Sequence, residues 1–410
     1  PEEFSVPVEL YPVPFVKLAT DQGADKLMRN TVAVGASLGL FCDDFQVLAD
    51  ILRTTFARKG EQIVTLNTNT AKAGFDFVKT EHAELFPIKI AKIAKKQMLV
   101  GGSEAVAMGA IKAGLKFAAI YPMTPVNGIM NYLAAKAHQY NLVIKEPEDE
   151  IAGINMAIGA SFAGVRSMVA TSGGGFSLMV EGLGLAGQAE EPLVVVLGMR
   201  PGPATGLPTW TEQGDVRFAL HAAQSEFPRI VLAPGDLSEC FSAALKAFNL
   251  AEKYQLLVIL LVDKYLMEGH ASVDTEQFKV QSSKFKIERG KFLSDEEAAS
   301  QQDYKRYAFV EDGVSPRTIP GQKGGIHLAG SDEHDEMGLY NEESDNRTKM
   351  MDKRFKKLET ALANGEFEPP VLHGPTDAPL TIIAFGSTKL PILEAMKWLA
   401  KETVNINYLQ

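Results

Sequence analysis

From residue 97 to about 270 the chain alternates short apolar runs with longer alanine- and glycine-rich stretches. Runs of strand length fall at 117–120, 167–171, 193–197, 230–232 and 257–262, with helical stretches between most of them. The opening unit, MLVGGSEAVAMGAIKAG, reads as a short strand, a glycine turn and a helix. Parallel strands need crossover helices, and strands buried on both faces are continuously apolar. The pattern therefore predicts an α/β fold with a parallel sheet covered on both sides.

The unusual residues cluster where these strands end. Tyr121-Pro122-Met123-Thr124-Pro125 follows the run at 117–120, Thr171-Ser172-Gly173-Gly174-Gly175 closes that at 167–171, and Met199-Arg200-Pro201-Gly202-Pro203-Ala204 follows that at 193–197. In open α/β sheets the ligand crevice lies at the carboxyl edge of the strands, so three such loops predict a binding site. Pro122 and Pro125 stiffen the backbone around Thr124, which suits either a fixed substrate-binding hydroxyl or a helix cap. Arg200 suits bidentate binding of a carboxylate, or a structural ion pair. Gly101-Gly102 and Gly173–Gly175 are either tight turns or phosphate cradles, and neither fits the spaced dinucleotide fingerprint. Glycines 173–175 also let the backbone approach a neighbour closely.

Charge stops abruptly at Glu150. After it, residues 151–164 hold only Asn155 and Ser161 as polar side chains. A carboxylate at the mouth of such a run enters a poorly solvated site where its proton affinity can be tuned. The plainer reading is an acid at a helix N-terminus, favoured by the dipole.

With 46% hydrophobic and 22% charged residues, the composition is that of an ordinary globular protein, and 410 residues predict two or three domains. A formal charge of −10 argues against nucleic acid as the main partner. Cys42 and Cys240 are too few for a four-cysteine cluster or zinc site, and a reducing cytoplasm suits them. No apolar run is long enough to span a membrane. Residues 1–93 read as a helical packing or docking unit, with 63–67 as a short strand or linker and 72–78 and 81–86 as helices. Residues 271–372 read as a polar, irregular extension. Within it, 346–362 reads as a basic surface helix, and the acids and His334 at 332–336 as solvated loop charge rather than a metal site. Residues 373–410 start another αβ unit, and both chain ends read as cut.

Together the stretches EDEIAGINMAIGASFAG, YPMTP, TSGGGFSLMVEGLGLA, RPGPATGLPTWTEQGD, AEKYQLLVILLVD and SPRTIPG…EHDE make the chain resemble the α subunit of 2-oxoacid:ferredoxin oxidoreductases, in the form with a γ domain fused ahead of α. The resemblance implies a parallel-sheet, pyrimidine-type thiamine diphosphate domain at 94–270, with its extension at 271–372. Before it would come the C-terminal part of a γ-like domain at 1–93, and after it the start of a transketolase-C-like domain at 373–410. It also implies Glu150 as the carboxyl group that meets the aminopyrimidine, with Glu148 as runner-up. Thr124 and Arg200 match substrate-binding positions, and Tyr121, Pro122, Ser172 and Gly173 match cofactor-binding ones. A β subunit would supply Mg2+ and a 4Fe-4S cluster, electrons would pass to ferredoxin, and coenzyme A would take the acyl group. Substrates in the family run from pyruvate to 2-oxoglutarate. Val126-Asn127, Gly174-Gly175 and Ala204 depart from common family residues and bear on substrate preference. Two other classes stay open on the residues alone: a non-oxidative thiamine diphosphate enzyme half, and a non-catalytic Rossmann-type scaffold.

Overall fold

The computed structural model describes residues 10–82 and 97–410. Contacts divide the chain into two units, Pro1–Lys95 and Lys96–Gln410.

The first unit is helical: α1 (Phe15–Asp21), α2 (Arg29–Phe41), α3 (Gln46–Phe56) and α4 (Glu61–Glu81). Glycines let α2 and α4 touch backbone to backbone. A Cβ on Gly35 would lie 1.8 Å from the Ala71 carbonyl oxygen, and one on Gly74 2.2 Å from that of Val32. The expected strand or linker at 63–67 lies inside α4, and so does the stretch 72–78. Val64, Ala71, Phe75 and Val78 bury one continuous stripe. Asn67 and Thr70 satisfy themselves on carbonyls four residues back. Packing thus overrides the low helix propensity of the β-branched residues. Of the expected helix at 81–86, residues 83–86 lie outside the described residues, as does the 93/94 boundary.

The second unit begins with β1 (Gln97–Gly101), α5 (Gly102–Lys112), β2 (Phe117–Ala119), α6 (Asn127–Tyr140), β3 (Val143–Lys145), α7 (Glu150–Phe162) and β4 (Ser167–Ser172). There follow α8 (Gly173–Leu178), α9 (Val180–Gln188), β5 (Leu193–Met199), α10 (Val216–His221), β6 (Arg229–Leu232), α11 (Leu237–Tyr254) and β7 (Leu257–Asp263). A six-stranded parallel sheet runs β3-β2-β4-β5-β7-β6. Strands β4, β5 and β7 are buried along their whole length. Their side chains alternate: Val194, Val196, Val258 and Leu260 join α5, α6 and α11 in one core. Val195, Leu197, Ile259 and Leu261 join α7, α8, α9 and α10 in the other. This is the period-2 geometry that demands helices on both faces.

β1 is not in this sheet. It pairs antiparallel with β8 (His270–Asp274), after the short α12 (Lys264–Glu268). The Gly101-Gly102 turn cradles protein, since a Cβ on Gly102 would meet the Leu266 carbonyl oxygen at 2.2 Å.

The extension carries α13 (Thr275–Lys284), α14 (Asp295–Ala299) and α15 (Ser344–Ala363). The expected surface helix is a clamp. Lys353, Arg354 and Lys357 of α15 are buried, and Lys353 Nζ lies 2.7 Å from Oε1 of buried Glu190. The neighbouring Glu191 pairs with Arg317 at 2.8 Å, and Glu252 with Arg166 and Arg289. All three acids, and Arg166, lie at the amino ends of β4, β5 or β7. The expected solvated charge at 332–336 is also corrected. Glu333 bridges Arg347 and Arg354, Glu336 pairs with Lys305, and buried His334 packs against Tyr307 with the rings tilted at 45°. Arg347 and Arg354 of α15 draw Glu333 inward, and a buried charge is tolerable only when paired. Last come β9 (Leu372–His373), β10 (Thr381–Ile383), α16 (Lys389–Lys401) and β11 (Asn407–Leu409), forming a separate three-stranded sheet in the order β10-β11-β9. No described helix is long and apolar enough to cross a membrane.

Candidate active site

The sheet order locates the site. From β2 the chain moves outward to β3, returns to β4 beside β2, and then proceeds the other way to β5. The order therefore reverses between β2 and β4, and a ligand crevice opens at that switch point. The loops after β2 and β4 border it. They are YPMTP and TSGGG.

Glu150 is the first residue of α7 and is 3% exposed. Asp149 caps the helix, accepting from the Ala152 amide at 2.8 Å, so Glu150 is freed from capping. Its Oε1 accepts a hydrogen bond from Thr171 Oγ1 at 3.4 Å. Gly175 closes the other side, where a Cβ would lie 2.2 Å from Oε1 and 2.1 Å from Thr171 Oγ1. The close backbone approach expected of the glycine run is made to this carboxylate. Glu148, by contrast, is exposed.

Arg200 reaches the β2 loop. Its Nη1 donates to the Thr124 carbonyl oxygen at 2.9 Å, and among the described residues it has no ion pair. A guanidinium carries five N–H donors, so most of its capacity is unspent. Thr124 does not cap α6, whose N-cap is Val126. Gly198 near the end of β5 allows this loop to seat, because a Cβ there would meet Pro125 at 2.8 Å.

A cleft of about 250 Å3 runs from Ser172, Gly173 and Gly174 to Arg200, Asp215 and Phe218. Three expected site residues, Ser172, Gly173 and Arg200, share it. Glu150 is joined to it through Thr171 and Gly175, and Thr124 through Arg200. Tyr121 and Pro122 follow β2 outside its lining, Tyr121 exposed and Pro122 half-buried. Ser172 Oγ is buried and has no hydrogen-bond partner among the described residues. Such a group calls for a ligand. Sequence reasoning missed Asp215, whose carboxyl faces Gly173 and is pushed up by burial and by Glu212. It also missed Gln213, which bonds Asp263 at the end of β7 and the Phe385 carbonyl. Both lie in TEQGD, and only that motif signalled them.

A larger cleft of about 580 Å3 lies along α15. Four of its five charged side chains pair with one another, Lys291 with Asp312 and Lys356 with Glu359, and Glu311 alone does not make a convergent set. Among the described residues no cluster of His, Cys, Asp and Glu could hold a metal ion. Both thiols are free, and burial pushes that of Cys240 well up.

Residues 108–353 match the family described as "pyruvate flavodoxin/ferredoxin oxidoreductase, thiamine diP-bdg", and residues 5–77 match "pyruvate ferredoxin/flavodoxin oxidoreductase". The chain belongs to this oxidoreductase family. The α subunit of 2-oxoacid:ferredoxin oxidoreductase 1 from Sulfurisphaera tokodaii is 39% identical over 88% of the chain and 57% of its own length. The KorA subunit of 2-oxoglutarate synthase from Methanothermobacter thermautotrophicus is 33% identical over 77% of the chain and 81% of its own length. A solved 2-oxoglutarate:ferredoxin oxidoreductase from Magnetococcus marinus, with 2-oxoglutarate, coenzyme A and succinyl-CoA bound, superposes with a TM-score of 0.88. It is 34% identical, over 97% of this chain and 68% of that one. The chain thus spans about three-fifths of the length of the 2-oxoacid:ferredoxin oxidoreductase α subunits it matches.

Proposed function

We propose that this chain is the α subunit of a thiamine diphosphate-dependent 2-oxoacid:ferredoxin oxidoreductase, active only with a β subunit. The observation that carries the reading is the buried Glu150 carboxylate at the switch-point crevice, walled by Thr171 and Gly175. The residues present fit the cofactor. A buried carboxylate bonded through Oε1, a Ser172 hydroxyl without a partner among the described residues and a glycine turn offer partners for a heteroaromatic ring and its substituents. Thiamine diphosphate would supply the electron sink into which the bonding pair of a departing carboxylate flows.

In this reading Glu150 hydrogen-bonds the pyrimidine ring and exchanges a proton at Oε2, a task suited to a carboxyl group shielded from water. Ser172 and the Gly173 backbone hold the ring, with Tyr121 and Pro122 at the crevice wall. Arg200 pairs with the carboxylate of the 2-oxoacid, and Thr124 fixes its keto end. A β subunit would contribute Mg2+ and the 4Fe-4S cluster, since two distant cysteines cannot hold one. Ferredoxin would take the electrons and coenzyme A the acyl group. The exposed Ile151 and Met156 of α7 and Leu178 of α8 offer an apolar face beside the site for that subunit. Residues 1–93 would be part of a γ-like domain and 373–410 the start of a transketolase-C-like one, in a cytoplasmic complex.

The test is anaerobic reduction of ferredoxin or viologen by the natively purified complex, given thiamine diphosphate, Mg2+ and coenzyme A. A panel from pyruvate to 2-oxoglutarate would identify the substrate. No reduction with any 2-oxoacid, by a complex whose partner carries no cluster, would overturn the reading in favour of a non-oxidative thiamine enzyme.

A further inference from the structure

Thr171 is the penultimate residue of β4 and is fully buried, yet the geometry gives its hydroxyl a specific task. Three acceptors lie within its reach: Glu150 Oε1 at 3.4 Å, the Ser172 carbonyl oxygen at 3.3 Å and Met123 Sδ at 3.9 Å. Only the first is a charged group, and a charged acceptor binds a hydroxyl proton about twice as strongly as a neutral one. Among the described residues, Thr171 is the sole hydrogen-bond partner of the Glu150 side chain. Gly175 backs both oxygens so tightly that any side chain there would displace them.

We propose that Thr171 is a positioning residue, whose hydroxyl, backed by Gly175, fixes Oε1 of Glu150 and leaves Oε2 as the atom that meets the cofactor. The proposal rests on the reading of Glu150 given above. It explains why a buried hydroxyl follows Met168, Val169 and Ala170 in β4. A carboxylate on the first residue of a helix has no backbone bond to orient it. In an apolar wall it would otherwise sample several rotamers, and a misplacement of about 1 Å can cost 100-fold in rate. Thr171 Oγ1 also lies 3.9 Å from Sδ of Met123 in the β2 loop, so the residue that holds the carboxylate packs against the neighbouring loop of the crevice.

The test uses the assembled complex with Thr171→Val, which keeps the shape and removes the hydroxyl, and with Thr171→Ser, which keeps the hydroxyl. Each is made in the native background and with Glu150→Gln. We expect Thr171→Val to lower kcat by about 10- to 100-fold and to raise the calorimetric dissociation constant of thiamine diphosphate by about tenfold. KM for the 2-oxoacid should stay within about twofold, and Thr171→Ser should restore most of the loss. In the Glu150→Gln background the valine should cost nothing further, because residues acting through one another are non-additive. Equal cofactor losses in both backgrounds, or a serine no better than valine, would overturn the proposal. If Glu150→Gln alone leaves cofactor affinity and turnover unchanged, the reading of Glu150 fails instead. Should the valine block assembly, Thr171→Ala compared with Thr171→Ser decides the same question.

Discussion

The two edges of the six-stranded sheet treat polar groups in opposite ways. At the amino edge Glu190, Glu191 and Glu252 are buried, and each meets two or more cations. Gln255 there accepts from Arg306 and Lys357 and donates to the Ser315 carbonyl. The exceptions among the described residues are the Nε atoms of Arg229, Arg306 and Arg354, whose guanidinium groups are engaged through other nitrogens, and His334 Nε2, whose ring is held through Nδ1. At the carboxyl edge, among the described residues, Ser172 Oγ has no partner, the Arg200 side chain has one, and that of Glu150 has one long one. Saturated polar networks specify a fold, whereas buried groups left short of partners mark where a ligand completes them. The same sheet is thus locked at one end and chemically unfinished at the other.

The sharpest way to break this contrast is at the locked edge. Glu190→Gln keeps the side-chain shape but leaves Lys353 and Lys357 buried without their countercharge. Uncompensated buried charge costs about 3–5 kcal/mol, so the unfolding free energy should fall by that amount. A change under about 1 kcal/mol in denaturant titration would show that the network is not what holds α15 down.

At the open edge, Arg200→Ala should leave stability nearly unchanged. It should raise KM for the 2-oxoacid by about 10- to 100-fold, the value of a charge-assisted hydrogen bond. An unchanged KM in steady-state kinetics would place the substrate elsewhere.

The third prediction concerns pH. Burial opposes the charge on Glu333, but Arg354, Arg347 and the His334 amide hold its pKa down at about 2. A carboxyl whose folded pKa lies below its usual 4.5 stabilises the fold fully above that value. The contribution is lost as pH falls from 4.5 toward 2. The difference in melting temperature between the parent protein and Glu333→Gln should therefore shrink over that window. A difference independent of pH would break the assignment.

How much of this could be read in advance follows from the same contrast. Strands β4, β5 and β7 were legible because burial on both faces makes them continuously apolar. Strand β3 was not, being three half-exposed residues at the sheet edge. β1 reads like any βα unit, and only its pairing with β8, about 170 residues on, sets it apart. The lysines of α15 pass for surface residues because their partner Glu190 lies more than 160 residues upstream. At the site, Glu150 stands out as the acid that opens an apolar run, and Ser172 and Arg200 as polar residues just after one. Thr171 and Asp215 do not, since their role depends on which loops the strand order brings together.

The central claim is that the open edge is a thiamine diphosphate site built on Glu150. The most direct test is turnover by the complex carrying Glu150→Gln, beside Glu148→Gln as an exposed neighbour. Loss of a positioned acid–base group predicts a fall of about 100- to 10,000-fold for Glu150→Gln with unfolding unchanged, and near-native turnover for Glu148→Gln. Turnover retained by Glu150→Gln, or lost with Glu148→Gln instead, would contradict the account.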